Sequence, residues 1–245
     1  MARRAGVKIA YLERTTSSSD AARSEQFGHG DVVVAGEQTS GRGQRGNGWE
    51  SGKGLNLTVS IIMKPVFLPA SDQFLLSKAV SLAVADTLED YGIAARVKWP
   101  NDIYVGAGKI AGILIENDIC GSTLARSIIG VGLNVNQEKF SEGLPNPVSM
   151  LGVAGRVFDR VEVLGRLYDK LSARYAQLEA GRVDEQERDY HARLYRQGER
   201  HNYRRAGGGI FAGTIECVRH DGELMVRHAD GTLKGYLFKE IEYVL

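Results

Sequence analysis

Apolar residues recur along this chain at two spacings, and the switches between them mark its elements. A compact β-branched run over 32–35 has the texture of a buried strand. Residues 55–63 alternate apolar and polar side chains, as a strand does. Residues 8–13, 94–99 and 127–135 carry shorter versions of that signal. Segments 103–105 and 110–116 read as a hairpin about 106–108. Helical spacing lies between these runs. Leu75, Ala79, Leu82, Ala85 and Leu88 fall on one stripe, with Ser71 placed to cap the helix and Gly92 to end it. Val161, Leu164, Tyr168, Leu171, Tyr175 and Leu178 mark a longer amphipathic helix. A helix over 20–27 follows a hydroxyl run, 15–19, whose residues suit capping. Residues 184–194 predict a helix charged on most faces. Gly130 and Gly132 sit inside a predicted strand, where glycine signals a bulge or a ligand close to the backbone.

From Gly198 the texture changes. Short β-rich segments alternate with turn signals at 207–209, Asp221-Gly222 and Asp230-Gly231. The pattern predicts an α+β domain over 1–196 with a small β-barrel appended over 197–245.

Composition narrows the classes. A net charge of +1 leaves no global electrostatic case for DNA or an acidic membrane. No apolar run approaches the roughly 18 residues of a membrane span, and the arginines behind Met1 lead into no signal-peptide core. Cys120 and Cys217 are too far apart and too few for a disulfide framework, so a reducing compartment, the cytoplasm, is expected. Both read as packing residues. The histidines do not fall at metal-ligand spacing, and no metal site is predicted. The mixed charges of 182–205 read as a solvated helix and connector, without the aromatic platforms of an RNA binder.

Four stretches could carry chemistry. Residues 41–49 read G-R-G-Q-R-G-N-G-W: glycines that let backbone N–H groups turn toward an anion, arginines with planar donors, and an indole face. A mobile surface loop is the plainer reading. Residues 98–102 read K-W-P-N-D, placing an amide and a carboxylate just past a strand end, as a binding edge or a local Asx-turn. Lys109 stands between two small-residue runs. It opens no P-loop, because positions 103 and 110 are both isoleucine. It is either a solvated hairpin charge or a cation aimed into a cleft. Asn134 and Asn136 share one side of an extended stretch. Neither a Ser-His-Asp order nor a CxxC is present, so a covalent acyl intermediate is not supported. The residue types suit binding an anion together with an aromatic base, with catalysis by positioning and charge neutralisation.

Taken together, 41–49, 98–102, 109–116 and 132–136 resemble the biotin–protein ligases, the BirA family of biotin–[acetyl-CoA-carboxylase] ligases. That family's patterns are G-R-G-R-x-G-R-x-W, K-W-P-N-D, K-x-x-G-I-L-x-E and G-x-G-x-N-x-N. The resemblance implies a mixed β-sheet with helices, related to class II aminoacyl-tRNA synthetases, plus an SH3-like barrel. It implies that biotin and ATP, with Mg2+, give biotinyl-5′-AMP and pyrophosphate. The biotinyl group then passes to a lysine of a biotin carboxyl carrier protein. A lipoate or octanoyl ligase of the same fold is the alternative.

Residue by residue, the resemblance places Ser17, Ser18, Ser19 and Gln38 at biotin's ureido ring. Gly41, Arg42 and Gly43 would close over carboxylate and phosphate, with Gln44 and Gly112 in the same biotin site. Lys109 would bridge the two anions. Arg45, Trp49, Asn101 and Asn134 would meet the nucleotide. Lys109, Arg42 and Asp102 form the catalytic set, Asp102 easing the proton off the carrier lysine. Three departures stand out. Ser18-Ser19 replaces the common Thr-Asn, Asn47 replaces an arginine, and Gln44 replaces the third loop arginine, one associated with retaining the adenylate. The pattern begins close behind Met1, so no DNA-binding domain and no DNA binding are expected. A homodimer is left open.

Overall fold

The structure, a computed structural model, describes residues 6–244, with the side chain of Arg45 outside that description. The chain runs along β1 (Ile9–Leu12), through α1 (Ser18–Ala22), along β2 (Val32–Ala35) in the same direction as β1, and back along β3 (Leu57–Met63). Helix α2 (Phe74–Glu89) leads to β4 (Arg96–Lys98), β5 (Asp102–Val105), β6 (Gly108–Cys120) and β7 (Thr123–Leu133). Helices α3 (Met150–Ala154), α4 (Arg160–Glu179) and α5 (Val183–Ala192) follow. Five strands end the chain: β8 (Arg200–Arg205), β9 (Ile210–Val218), β10 (Leu224–His228), β11 (Leu233–Tyr236) and β12 (Ile241–Tyr243).

Seven strands form one sheet in the order β1-β2-β3-β7-β6-β5-β4. Only β1 and β2 pair in parallel, so the sheet is mixed. The last five form an antiparallel sheet, β11-β10-β9-β8-β12. This is an α+β architecture with a small C-terminal β-sheet.

Strand β3 shows how the large sheet is used. All seven of its residues are buried. Leu57, Val59, Ile61 and Met63 join the main core under α2 and α4, while Ile62 packs on the opposite face with Ala22, Phe27, Val33 and Ile128. The alternation read from the sequence is real, yet its polar positions, Thr58 and Ser60, do not meet open solvent. Thr58 lines the cleft described below, and Ser60 lies fully buried behind Ser18 and Ser19.

Several elements differ from their sequence reading. Helix α1 spans five residues instead of 20–27, because the chain turns after Ala22 and lets Phe27 return to the sheet. Ser71 does not cap α2. It sits in a 3-10 turn, Ala70–Asp72, and donates to Asp72 at 3.1 Å. Helix α2 is buried almost all round, beyond the single predicted stripe, since it is wedged between the sheet and two other helices. On α4, Val161 is 56% exposed, and Val163 and Leu167 take the core positions. Strand β7 begins earlier than predicted, after a hairpin at Gly121, whose φ is 60°. Cys120 is exposed at that hairpin and so packs nothing, whereas Cys217 is half-buried; both are free thiols.

The C-terminal sheet is tied to the rest through buried polar groups. Lys78 Nζ, fully buried on α2, donates to both oxygens of Glu187 (2.7 and 2.8 Å) and to the Val218 carbonyl (2.7 Å). Burial pulls this lysine below its ordinary pKa, against the raising effect of Glu187. Trp99 Nε1 donates to the Gly222 carbonyl at 2.9 Å. The Val218 N–H donates to His191 Nε2 at 3.0 Å. No helix among the described residues is long and apolar enough to cross a membrane.

Candidate active site

The face of the large sheet away from α2 divides in two. Helix α1 and Phe27 cover one end. At the other, Gly112, Gly130 and Gly132 lie in register with Thr58 and Ser60: Thr58 opposite Gly132, Ser60 opposite Gly130, Gly112 opposite Gly132. Three glycines side by side leave a trough, because no side chain rises from them. A cavity of about 470 Å³ opens above it.

The indole of Trp49 lies directly on this floor. A Cβ at Gly132 would collide with it, and one at Gly112 would come within 2.9 Å. The sequence reading at Gly132 was a bulge or a ligand close to the backbone; the structure has no register shift there, and the group close to the backbone is the chain's own indole. Gly132→Val is expected to expel the indole or to cost the fold about 1–3 kcal/mol by overpacking. Tryptophan emission should shift red and become more quenchable, and an unchanged spectrum and melting point would contradict the packing.

Hydroxyl groups form one end wall. Ser18 and Ser19 Oγ lie 2.9 and 3.0 Å from Ser60 Oγ, and the Ser18 N–H donates to Gln38 Oε1 at 2.7 Å. Ser17 Oγ accepts from the Ser19 N–H at 3.2 Å, the capping role open to this cluster from the start.

Lys109 reaches the trough through a register shift between β5 and β6, where Ile103 pairs with Ala111 but Tyr104 pairs with Lys109. Such a bulge re-aims side chains. Ile110 and Ala111 both stay in the core, and Lys109 extends over Gly112, its Cε 3.4 Å from where a Cβ would stand. Its ammonium pairs with Asp102 Oδ1 at 2.6 Å and lies 5.7 Å from the Trp49 ring centre. Asp102 Oδ2 is 3.7 Å from Lys98 Nζ, so one carboxylate faces two ammoniums. Asn101 does not close a local turn. Its amide donates to the Ile113 carbonyl at 2.8 Å and holds the 98–102 segment against β6. The Trp99–Pro100 bond in that segment is cis.

The 41–49 loop folds over the trough, with the Trp49 N–H donating to the Gly41 carbonyl at 2.9 Å. Arg42 is held by two carboxylates, Asp20 (2.8 Å) and Glu116 (2.7 Å), and Glu116 also pairs with Arg23 at 2.9 Å. Gln44 Oε1 and Trp49 Nε1 are buried there without hydrogen-bond partners.

The profile of the Biotin/lipoate A/B protein ligase family matches residues 11–134 of this chain. The chain belongs to that family. It is 32% identical over 201 residues to the biotin–[acetyl-CoA-carboxylase] ligase of Mycobacterium tuberculosis, covering 80% of this chain and 72% of that protein. The biotin protein ligase of Aquifex aeolicus in complex with biotin and ATP shares its fold, with a TM-score of 0.82 and 24% identity over 97% of this chain and 99% of that one. The biotin protein ligase of Leishmania major in complex with biotinyl-5-AMP is 27% identical, with a TM-score of 0.66 over 94% and 98% of the two chains.

Within the biotin/lipoate ligase match fall the loop, the β5–β6 hairpin and the glycine floor. Of the residues singled out by sequence, Ser17, Ser18, Ser19 and Gln38 line the cavity, as do Arg42, Gly43, Gln44 and Trp49. So do Asn101, Asp102, Lys109 and Gly112. Two do not. Gly41 lies behind the wall, where a Cβ would strike the Trp49 backbone. Asn134 is buried to one side, its amide donating to the Val148 carbonyl at 2.9 Å. Arg45 has its side chain outside the described residues. Sequence reasoning missed Phe238, Ile241, Glu242 and Tyr243, which the C-terminal sheet contributes to the cavity wall from beyond the matched residues. No local pattern in 237–243 marks them, because only the docking of the second sheet brings them there.

Proposed function

We propose that this chain activates biotin with ATP and transfers the biotinyl group to a lysine of a biotin carboxyl carrier protein. A carboxylate oxygen of biotin attacks the α-phosphorus, and the bond to pyrophosphate breaks. The neutral amine of the carrier lysine then attacks the acyl carbon of biotinyl-5′-AMP, and AMP leaves with the bonding pair. The first step brings two anions together. At about 4 Å their repulsion is about 4 kcal/mol under an effective dielectric of ~20. One ammonium between them offsets this cost, and the observation that carries the reading is Lys109 held over the Gly112 floor. Asp102, which pairs with Lys109, is the proposed acceptor of the carrier amine's proton.

In this reading the hydroxyl wall of Ser18, Ser19 and Ser60 takes the ureido ring. Trp49 and Asn101 border the nucleotide. Arg42 leaves Asp20 and Glu116 to reach the joined anions. Gln44 supplies one donor amide where the relatives' pattern has a charge. Among the described residues no group of three or more His, Cys, Asp and Glu could hold a metal ion. Mg2+ is proposed as the companion of the ATP phosphates. We further infer two domains, 1–196 and 197–245, and action in the cytoplasm.

The M. tuberculosis relative's activity on acetyl-CoA carboxylase and the L. major complex with biotinyl-5-AMP favour biotin over lipoate. The test is exchange of labelled pyrophosphate into ATP. Biotin should support it and lipoate should not; exchange driven by lipoate alone would reassign the substrate.

A further inference from the structure

Lys98 is a charge to which the chemistry above gives no task. It lines the cavity, its side chain only 15% exposed, with Nζ 3.7 Å from Asp102. Two phenol rings enclose it. Nζ lies 4.9 Å from the centre of Tyr104, on β5, and 4.8 Å from that of Tyr243, on β12. Tyr195 packs against both rings, at 5.4 and 6.2 Å, and Tyr203 stands edge-on to Tyr243 at 5.5 Å. The hydroxyl of Tyr243 is buried and has no hydrogen-bond partner. What Tyr243 presents to Lys98 is therefore its ring face, which attracts a cation.

The need for such a box follows from the geometry of Asp102. In the structure Lys109 neutralises it at 2.6 Å. When Lys109 turns to the substrate anions, Asp102 would be left as a bare, largely buried carboxylate facing incoming phosphates. That like charge would oppose binding. Among the described residues Lys98 is the other cation paired with Asp102, and it is poorly solvated. Burial lowers its pKa first, and Lys109 and Arg196 lower it further, against Asp102.

We propose that Tyr243, together with Tyr104, holds Lys98 as the standing counter-charge of Asp102, which frees Lys109 for the joining of the two anions. Tyr243 is thus a positioning residue, supplied to the catalytic cleft by the last strand of the C-terminal sheet. The inference rests on the biotin-activating reading of the cleft.

The test leaves shape constant and drains the ring face. In the full-length protein, Tyr243 is replaced by phenylalanine and then by phenylalanines carrying one, two and three ring fluorines. Tyr243→Phe is the reference. Biotin-dependent pyrophosphate exchange is measured for each, with kcat and KM for ATP, beside the melting temperature. Exchange should fall stepwise with fluorine number, by about tenfold across the series, the range of a desolvated cation–π contact. Melting temperatures should coincide, since the rings pack alike. A flat series in an active enzyme overturns the inference alone. A wild-type protein that never exchanges pyrophosphate with biotin overturns the biotin reading and this inference with it.

Discussion

Lys109→Ala is expected to abolish adenylate formation while the protein stays folded. Removing one preorganised charge from a site of developing negative charge costs about 10²–10³-fold in turnover. Here the same ammonium also screens two anions in the ground state, so the loss should reach at least the upper part of that range. The fold should survive: Asp102, 16% exposed, loses its closest partner, but the Lys109 side chain is 30% exposed, so water reaches the vacated position. Asp102 also keeps Lys98 nearby. Pyrophosphate exchange and a melting curve on one preparation decide the matter. Turnover within tenfold of wild type would move the chemistry off this lysine.

Lys78→Ala should have the largest effect on stability. Its ammonium is fully buried and serves a carboxylate on α5 and a carbonyl on β9 at once. Truncation leaves Glu187 charged, largely buried and without its closest partner, a change that costs about 3–5 kcal/mol. For a chain of this size each kcal/mol lowers the melting temperature by about 2–4 °C, so a drop of roughly 6–20 °C is expected. Exchanging both partners, Lys78→Met with Glu187→Leu, should recover most of the loss, because no bare charge remains. A double variant as unstable as the single one would show that the pair itself, beyond its mutual neutralisation, holds the α5–β9 junction.

How far the sequence carried depended on whether a feature was local. The β2 run and the β5–β6 hairpin were legible because short-range spacing determines them. The same holds for the turn-rich end after Gly198. Gly130 and Gly132 were legible as anomalies, glycines where a strand should carry side chains. Their meaning came from other segments: Trp49 crosses from a loop to lie on Gly132, and the Ser19 hydroxyl stands over Gly130. Lys109 was left between solvent and cleft by its neighbours, since a bulge reverses the face that alternation would assign. Ser71 was misjudged because a capping residue type does not guarantee a cap when a 3-10 turn precedes the helix. Tyr243 was illegible for a different reason. An alternating strand in a small sheet looks alike whether its side chain meets water or a lysine from a distant segment. Asn134 looked like a ligand-facing amide, yet it donates to a carbonyl of its own chain.

The glycine trough changes how mutational data on this protein should be read. Replacement by alanine normally subtracts atoms and asks what is missed. At 112 and 132 it adds a methyl group under an indole that already rests there, and at 130 one beside the Ser19 hydroxyl. A scan would score those positions as sensitive to crowding, and the loss it records would report no contact that the native side chain had made.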